Sequence, residues 1–199
     1  MGLGLTLCLI VAKDNKYDKI ILGIDPGTNI AGYGVIGIKK NQLYYISMGI
    51  FDLRSEINHA MKLQSIFDQC SKLIDTYLPD EFAIEAPFYG KNAQSMLKLG
   101  RAQGVSMAAA LNRNIPIFEY APRRIKQSVT GRGTATKDQV AGMVKSLLSL
   151  ETLHSKFDAT DALAIAICHY FSYKPGQGNN DKKFDSWSSF VSKNPEKIK

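Results

Sequence analysis

The chain has 199 residues, enough for one domain with a full core, and its 45% hydrophobic and 22% charged composition excludes wholesale disorder. Its 25 Lys and Arg against 18 Asp and Glu give a net charge of +7, which favours nucleic acid, phosphate-rich ligands or an anionic membrane surface as partners. Cys8, Cys70 and Cys168 are odd in number, far apart and in apolar surroundings, so neither a disulfide framework nor a zinc cluster is expected, and a reducing compartment is.

The longest uncharged apolar stretch, Met1 to Ala12, is too short to cross a bilayer as a helix and lacks the basic region and cleavage site of a secretory signal. Residues 1–19 are therefore expected to be an N-terminal extension, with no membrane association. The globular part begins at Ile20. Ile20–Asp25 is a β-rich apolar run stopped by Pro26-Gly27-Thr28. Gly32–Ile38 and Leu43–Ile50 read as two further strands joined by a hairpin over Lys39-Lys40-Asn41-Gln42, which implies an antiparallel meander.

Leu63, Ile66, Phe67, Cys70, Leu73, Ile74 and Tyr77 recur at three- and four-residue spacing, the mark of an amphipathic helix, closed by Pro79. Phe82–Glu85 is a short strand, Ala93–Asn112 a helix and Ile115–Tyr120 a fifth strand. Helical patterns follow from about Lys137 to Leu150 and from Asp158 to Phe171. The order implies an α/β fold, a mixed five-stranded sheet flanked by helices. From Lys174 the composition shifts to Lys, Asn, Ser, Gly and Pro, so the core is expected to span 20–173 and a basic tail 174–199. In that tail Phe184, Trp187 and Phe190 or Val191 recur at helical spacing among lysines, as in a docking amphipathic helix or a basic arm on DNA.

The charge is concentrated. Between Lys91 and Lys137 stand nine basic residues and one acid, Glu119, a net of +8 that leaves −1 for everything else. A solvated helix face would interleave acids with its bases, whereas an excess of one sign is the footprint of a phosphate-backbone binder. The window offers Lys91, Arg123, Arg124, Lys126 and Arg132 as substrate contacts.

Four acids stand out. Asp25 and Glu85 each end an apolar strand, where an acid can face a cleft at the sheet edge. Asp158 and Asp161 lie three apart at the start of an apolar helix, hence on one face. Each also has a plain alternative: Asp25 as a turn former, Asp158 as a helix N-cap, Glu85 as a solvent-facing strand end. Converging, four carboxylates cannot stay ionised together without compensation. Two Mg²⁺ ions would balance them, hard cations on hard oxygen ligands about 3.5–4 Å apart, as in phosphodiester hydrolysis. His59, His154 and His169 offer no pair at zinc-ligand spacing, so the chemistry expected is carboxylate and magnesium.

The run Ile21-Leu22-Gly23-Ile24-Asp25-Pro26-Gly27-Thr28, then Ala83-Ile84-Glu85, Lys91-Asn92-Ala93, Leu97-Lys98-Leu99-Gly100, Glu119-Tyr120-Ala121-Pro122-Arg123-Arg124 and Asp158-Ala159-Thr160-Asp161-Ala162-Leu163-Ala164 resembles the RuvC-type crossover junction endodeoxyribonucleases, over about Ile20 to Tyr173. The resemblance implies a ribonuclease H-like fold and a cytoplasmic homodimer that resolves Holliday junctions in recombination and repair. It cuts two opposed strands to leave ligatable 5′-phosphate nicks, alongside a branch-migration complex of RuvA and RuvB. Two Mg²⁺ per subunit, with Mn²⁺ as a substitute, are implied on Asp25, Glu85, Asp158 and Asp161. Lys126 and Lys137 match basic residues near the scissile phosphate, and Lys137 is expected to oppose charge build-up there. Phe88, in the loop Pro87-Phe88-Tyr89-Gly90, matches an aromatic that stacks on an unpaired base, with Tyr89 in support. The expected dimer seam is Ala93–Asn112, dense in small residues at Ala102, Gly104, Ala108, Ala109 and Ala110.

The Gly-Ile-Asp-Pro-Gly-Thr run is also similar to the first phosphate loop of sugar kinases and actin-like ATPases, but those need a second domain and a second loop. Ribosomal-RNA-processing nucleases share the first strand without the long basic segment. A junction-binding scaffold that has lost catalysis is disfavoured because all four acids are present.

Overall fold

Lys19–Asp25 (β1), Ile30–Lys39 (β2) and Gln42–Asp52 (β3) form the expected antiparallel meander in a computed structural model that describes residues 16–87 and 92–172. β2 and β3 each run two residues further at the end away from their hairpin than the sequence pattern implied. Lys40 and Asn41 turn that hairpin with φ of 50° and 61°, the paired positive values of a two-residue turn whose twist matches the strands.

Glu81–Glu85 (β4) and Ile117–Tyr120 (β5) add parallel to β1, giving the order β3-β2-β1-β4-β5. Helices His59–Tyr77 (α1) and Ala93–Leu111 (α2) cover one face, with Leu22, Ile24, Phe82 and Ile84 between them and the sheet. The other face is covered by Pro122–Thr130 (α3), Lys137–Leu147 (α4) and Phe157–Ser172 (α5), over Ile21, Ile36 and Ala83. The mixed sheet with flanking helices is the architecture expected from the sequence.

Two local features differ from the sequence reading. α3 was not expected, because only Ile125 and Val129 of its nine residues are buried and the rest reads as a basic loop. Its start and stop are nevertheless written in Pro122 in the first turn and Gly131 at φ 76° just past its end. Asp158 is also no N-cap: α5 starts at Phe157, so Asp158 already lies inside the first turn.

α5 lies on the sheet almost backbone to backbone. Gly23 and Gly34 are cross-strand partners, as are Asp25 and Gly32. A Cβ on Gly23 would collide with the Ala162 carbonyl, one on Gly34 with the Leu163 amide, and one on Gly32 with the Asp158 carbonyl. These glycines leave room for the helix that brings Asp158 and Asp161 to the end of β1.

On the α5 face of the sheet a buried polar chain runs from the starts of β1 and β4 to the end of β5. Lys19 Nζ donates to Glu81 Oε1 at 2.7 Å, Glu81 Oε2 lies 2.7 Å from His169 Nε2, and His169 Nδ1 lies 2.6 Å from the Tyr120 hydroxyl. With His169 neutral, every group is satisfied: Tyr120 donates to Nδ1 and Nε2 donates to Glu81. Burial holds the His169 pKa below the usual value, with Lys19 adding to that and Glu81 opposing it. Phe118 and Tyr120 of β5 also pack their rings on it. The unfolded chain therefore binds a proton more readily than the fold does. The stability contributed by neutral His169 is complete above about pH 6.5 and falls as the pH drops through the lowered folded value. Buried Asp25 and Glu85, with raised pKa values, act in the opposite sense, so the His169 contribution is read as a difference. Between pH 7.5 and 5.5 His169→Gln is expected to fare better on acidification in urea unfolding than the unaltered protein, and an equal pH response in both would remove the His169 contribution.

Cys70 and Cys168 are buried free thiols. No helix among the described residues is long and apolar enough to cross a membrane.

Candidate functional site

Apolar strands with an acid at their last residue place that acid where the sheet ends and a cleft begins. β1 ends at Asp25 and β4, parallel beside it, ends at Glu85. The last residue pair between these strands is Ile24 with Ile84, so each acid sits one position beyond the point where the ladder stops. The second turn of α5 carries Asp161 to the same place. A cleft of about 290 Å³ is lined by Asp25, Glu85, Lys126, Lys137, Asp161 and apolar groups that include Ile125 and Val140.

The electrostatics follow from this crowding. Asp25, half-buried at the cleft floor, has its pKa raised well above the carboxylate range, first by burial and then by Glu85, Asp161 and Asp158, while Lys137 opposes the shift. Glu85 is pushed up to about 6 by burial and by Asp161, against Lys137 and Lys126. Lys137 Nζ donates to Asp161 Oδ2 at 2.7 Å, and that bond is the main reason its pKa is raised. Lys137 is the first residue of α4, capped by Thr136 and Gln139 in a reciprocal box. A cation there opposes the helix dipole, and the carboxylate of Asp161 offsets that cost.

The acids predicted from sequence thus come together unequally. Asp25, Glu85 and Asp161 line the cleft; Asp158 stands off its lining but is coupled electrostatically to Asp25 and Lys137. Four carboxylates offering only oxygen donors, two of them held toward protonation, fit a hard divalent cation in charge and donor type. Among the described residues no three acidic, histidine or cysteine side chains already form a closed cage.

The basic residues separate. Lys126 and Lys137 reach the cleft. Arg123 and Arg124 line a shallower surface with Ala121, Gln127 and Ser128 around the start of α3, where Arg124 lies 5.2 Å over the Tyr120 ring and donates to the Ser172 hydroxyl at 3.2 Å. Arg132 is exposed in the connection to α4 and does not line the cleft. Phe88, Tyr89 and Lys91, like the aromatic residues of the tail, lie outside the described residues.

The small residues of α2 do not form one seam. Ala102, Ala109 and Ala110 are buried in the chain's own core, which corrects the expected stripe. Gly104 and Ala108 face outward with Gly100, between Leu97 and Leu111, which are 64% and 61% exposed, and open space lies over both glycines. Sequence reasoning missed Gln103 on the inward face. Only 5% exposed, it donates through Nε2 to the Glu85 carbonyl oxygen at 3.2 Å and to Glu119 Oε2 at 2.9 Å. A lone Gln in an Ala-rich helix carries no periodic signal that could have singled it out.

Comparison with known proteins gives a consistent result. The family model described as "Crossover junction endodeoxyribonuclease RuvC" matches residues 21–169. The protein of that name from Cytophaga hutchinsonii is 54% identical over 182 residues, covering 92% of this chain and 89% of the relative. That from Bacteroides fragilis is 53% identical over 184 residues, covering 92% and 97%. Among solved structures, Thermus thermophilus RuvC in complex with a Holliday junction substrate superimposes with a TM-score of 0.73 at 28% identity, over 77% of this chain and 94% of that one.

Proposed function

Because the chain belongs to the crossover junction endodeoxyribonuclease RuvC family, nucleases with a ribonuclease H-like fold, we propose that it resolves Holliday junctions by metal-dependent hydrolysis of one phosphodiester in each of two opposed strands. The products are nicks with 5′-phosphates that a ligase can seal, as homologous recombination and repair require. The observation that carries this reading is the convergence of Asp25, Glu85 and Asp161 from two strand ends and one helix on a single cleft that also holds Lys126 and Lys137. The nuclease domain spans 20–173, with 1–19 and 174–199 as flanking segments, and the enzyme works in the cytoplasm.

Asp25, Glu85, Asp158 and Asp161 are the residues that would hold divalent cations, two Mg²⁺ per subunit or Mn²⁺ in their place. Bound there, the cations supply Lewis-acid polarisation of the phosphodiester and a water made acidic enough to attack at neutral pH. The chain's own groups do the rest. Burial and mutual repulsion make ionised Asp25 and Glu85 costly without a compensating positive charge, so the cleft favours a cation. Lys137 puts a fixed cation beside Asp161, where negative charge grows during attack. Arg123 and Arg124 present guanidinium groups to the backbone of a duplex arm beyond the cleft. Phe88, three residues beyond Glu85 in the sequence, is the aromatic side chain that would stack on a base unpaired at the crossover.

Symmetric cutting needs two such clefts. The outward face of α2, with Leu97, Gly100, Gly104, Ala108 and Leu111, is the surface through which two copies pair, since small residues between two leucines let helices approach closely.

The test is cleavage of a synthetic mobile four-way junction against a matched duplex, with Mg²⁺ or with a chelator. Paired ligatable nicks in the junction alone, and only with the metal, are expected. Junction binding without cleavage would reduce the protein to a scaffold, and cleavage of the duplex at an equal rate would remove the structural specificity. In the same assay Lys137→Met is expected to lower the cleavage rate about 10²-fold while junction affinity stays within a few-fold. A proportional loss of affinity would make Lys137 a binding residue instead.

A further inference from the structure

The end of β4 is gripped by the sheet on one side only. Glu85 lies beyond the last β1–β4 pair, so β1 no longer holds it. On the other side it pairs in register with Tyr120 of β5, whose carbonyl oxygen accepts from the Ala86 amide at 2.9 Å. Glu85 nevertheless has to be held firmly. Its carboxylate faces Asp161 and Asp25, and like charges push a loosely held strand end away from the cleft.

α2 supplies the missing hold from the opposite face of the sheet. Its other buried residues are Ala102, Ser106, Ala109 and Ala110, all small. Among them Gln103 alone carries a long polar side chain, and burying an amide in an apolar layer is favourable only when its hydrogens are satisfied. One goes to the carbonyl oxygen of Glu85 itself and the other points at Glu119, the residue that pairs with Ile84 across β4 and β5. The amide therefore ties the two parallel strand ends to each other and to the helix, at the residue whose side chain enters the cleft.

We propose that Gln103 is a positioning residue, holding the backbone of Glu85 so that its carboxylate stays in the cleft against the repulsion of the other acids. It touches neither substrate nor metal, and it acts through the main chain at the end of β4. This rests on the function proposed above and adds to it an element that determines where one acid of the cleft stands. Gln103 faces inward, away from the Leu97–Leu111 surface, so its removal leaves pairing of two copies untouched.

The test is Gln103→Met, which keeps length and volume and removes the donor. Three measurements are compared with the unaltered protein: single-turnover cleavage of a four-way junction, calorimetric titration with Mn²⁺ alone, and the melting temperature. The expected result is a cleavage rate lower by roughly tenfold to 10²-fold, since a displacement of about 1 Å in a reacting group costs that much. Junction KM stays within twofold, and the Mn²⁺ concentration at half-saturation rises several-fold. A merely structural role would lower the melting temperature and the active fraction without moving that half-saturation point. A folded variant with unaltered rate and Mn²⁺ titration would overturn the proposal. If the variant melts below the assay temperature, Gln103→Asn retains the amide but withdraws it by one methylene; the same loss in rate is expected, and wild-type behaviour would again overturn it. If the unaltered protein cleaves no junction with any divalent cation, the functional reading fails on its own, and the Mn²⁺ titration still decides the role of Gln103.

Discussion

Asp25→Asn is expected to lose junction cleavage by on the order of 10³-fold and at the same time to melt at a higher temperature than the unaltered protein. Both effects have one cause. Asp25 is the acid whose charge is least welcome: burial raises its pKa first, and Glu85, Asp161 and Asp158 add to that, with only Lys137 opposing. An amide of the same shape removes the charge and keeps the packing, so the fold is expected to gain about 0.5–2 kcal/mol, the usual size of a single stabilising substitution. For a domain of this size that corresponds to roughly 2–4 °C per kcal/mol. The same change deletes the central carboxylate of the cation-binding set. Scanning calorimetry and single-turnover cleavage on one preparation check both effects, with junction binding measured by gel shift in chelator. A variant that cleaves within tenfold of the parent would remove Asp25 from the chemistry. One that melts lower would show that its contacts outweigh its charge.

The second large effect is expected from a methyl group. Gly32→Ala places a Cβ against the carbonyl of Asp158, and unlike a flexible side chain a helix backbone cannot rotate aside. Overpacking of this kind costs about 1–3 kcal/mol. The first two turns of α5 have to lift, and Asp158 and Asp161 move with them, away from Asp25 on β1. Cleavage is expected to fall about 10²-fold, as for a misplacement near 1 Å, while the chain remains folded and still binds a junction. Gly142→Ala in α4 is the matched control, because its Cβ would meet nothing and a helix gains stability from the exchange. Equal activity in both variants would mean that α5 tolerates displacement and that the acids are not held by its seat on the sheet.

The parts of the site legible in the sequence were those in which an acid interrupts an apolar run. Asp25 and Glu85 end short buried strands and Asp161 lies near the start of a buried helix, so each acid stands close to an element's end. Three things were hidden for physical reasons. α3 buries two side chains, too few for a periodic signal against a basic background. The alanines of α2 suit either a core or a surface, so their spacing could not say that Ala102, Ala109 and Ala110 turn inward while Gly104 and Ala108 turn outward. Gly23, Gly32 and Gly34 read as ordinary strand residues, although glycine within a strand is a recognised sign of close backbone approach and was the available clue to the seat of α5. Gln103 had no such clue, since its meaning depends on a carbonyl group eighteen residues away in the chain.

The seat of α5 also sets a timetable. β1 lies near the start of the domain and α5 at its far end, so Asp25 and Glu85 leave the ribosome well before the helix that completes their cluster. Because that helix meets the glycines through its backbone, Asp158 and Asp161 face the strands only once it is seated. A nuclease built this way is expected to lack activity during its synthesis until α5 has arrived. A chain halted before Phe157 is expected to be without nuclease activity even where its meander has folded, and cutting by such a chain would show that the strands alone suffice.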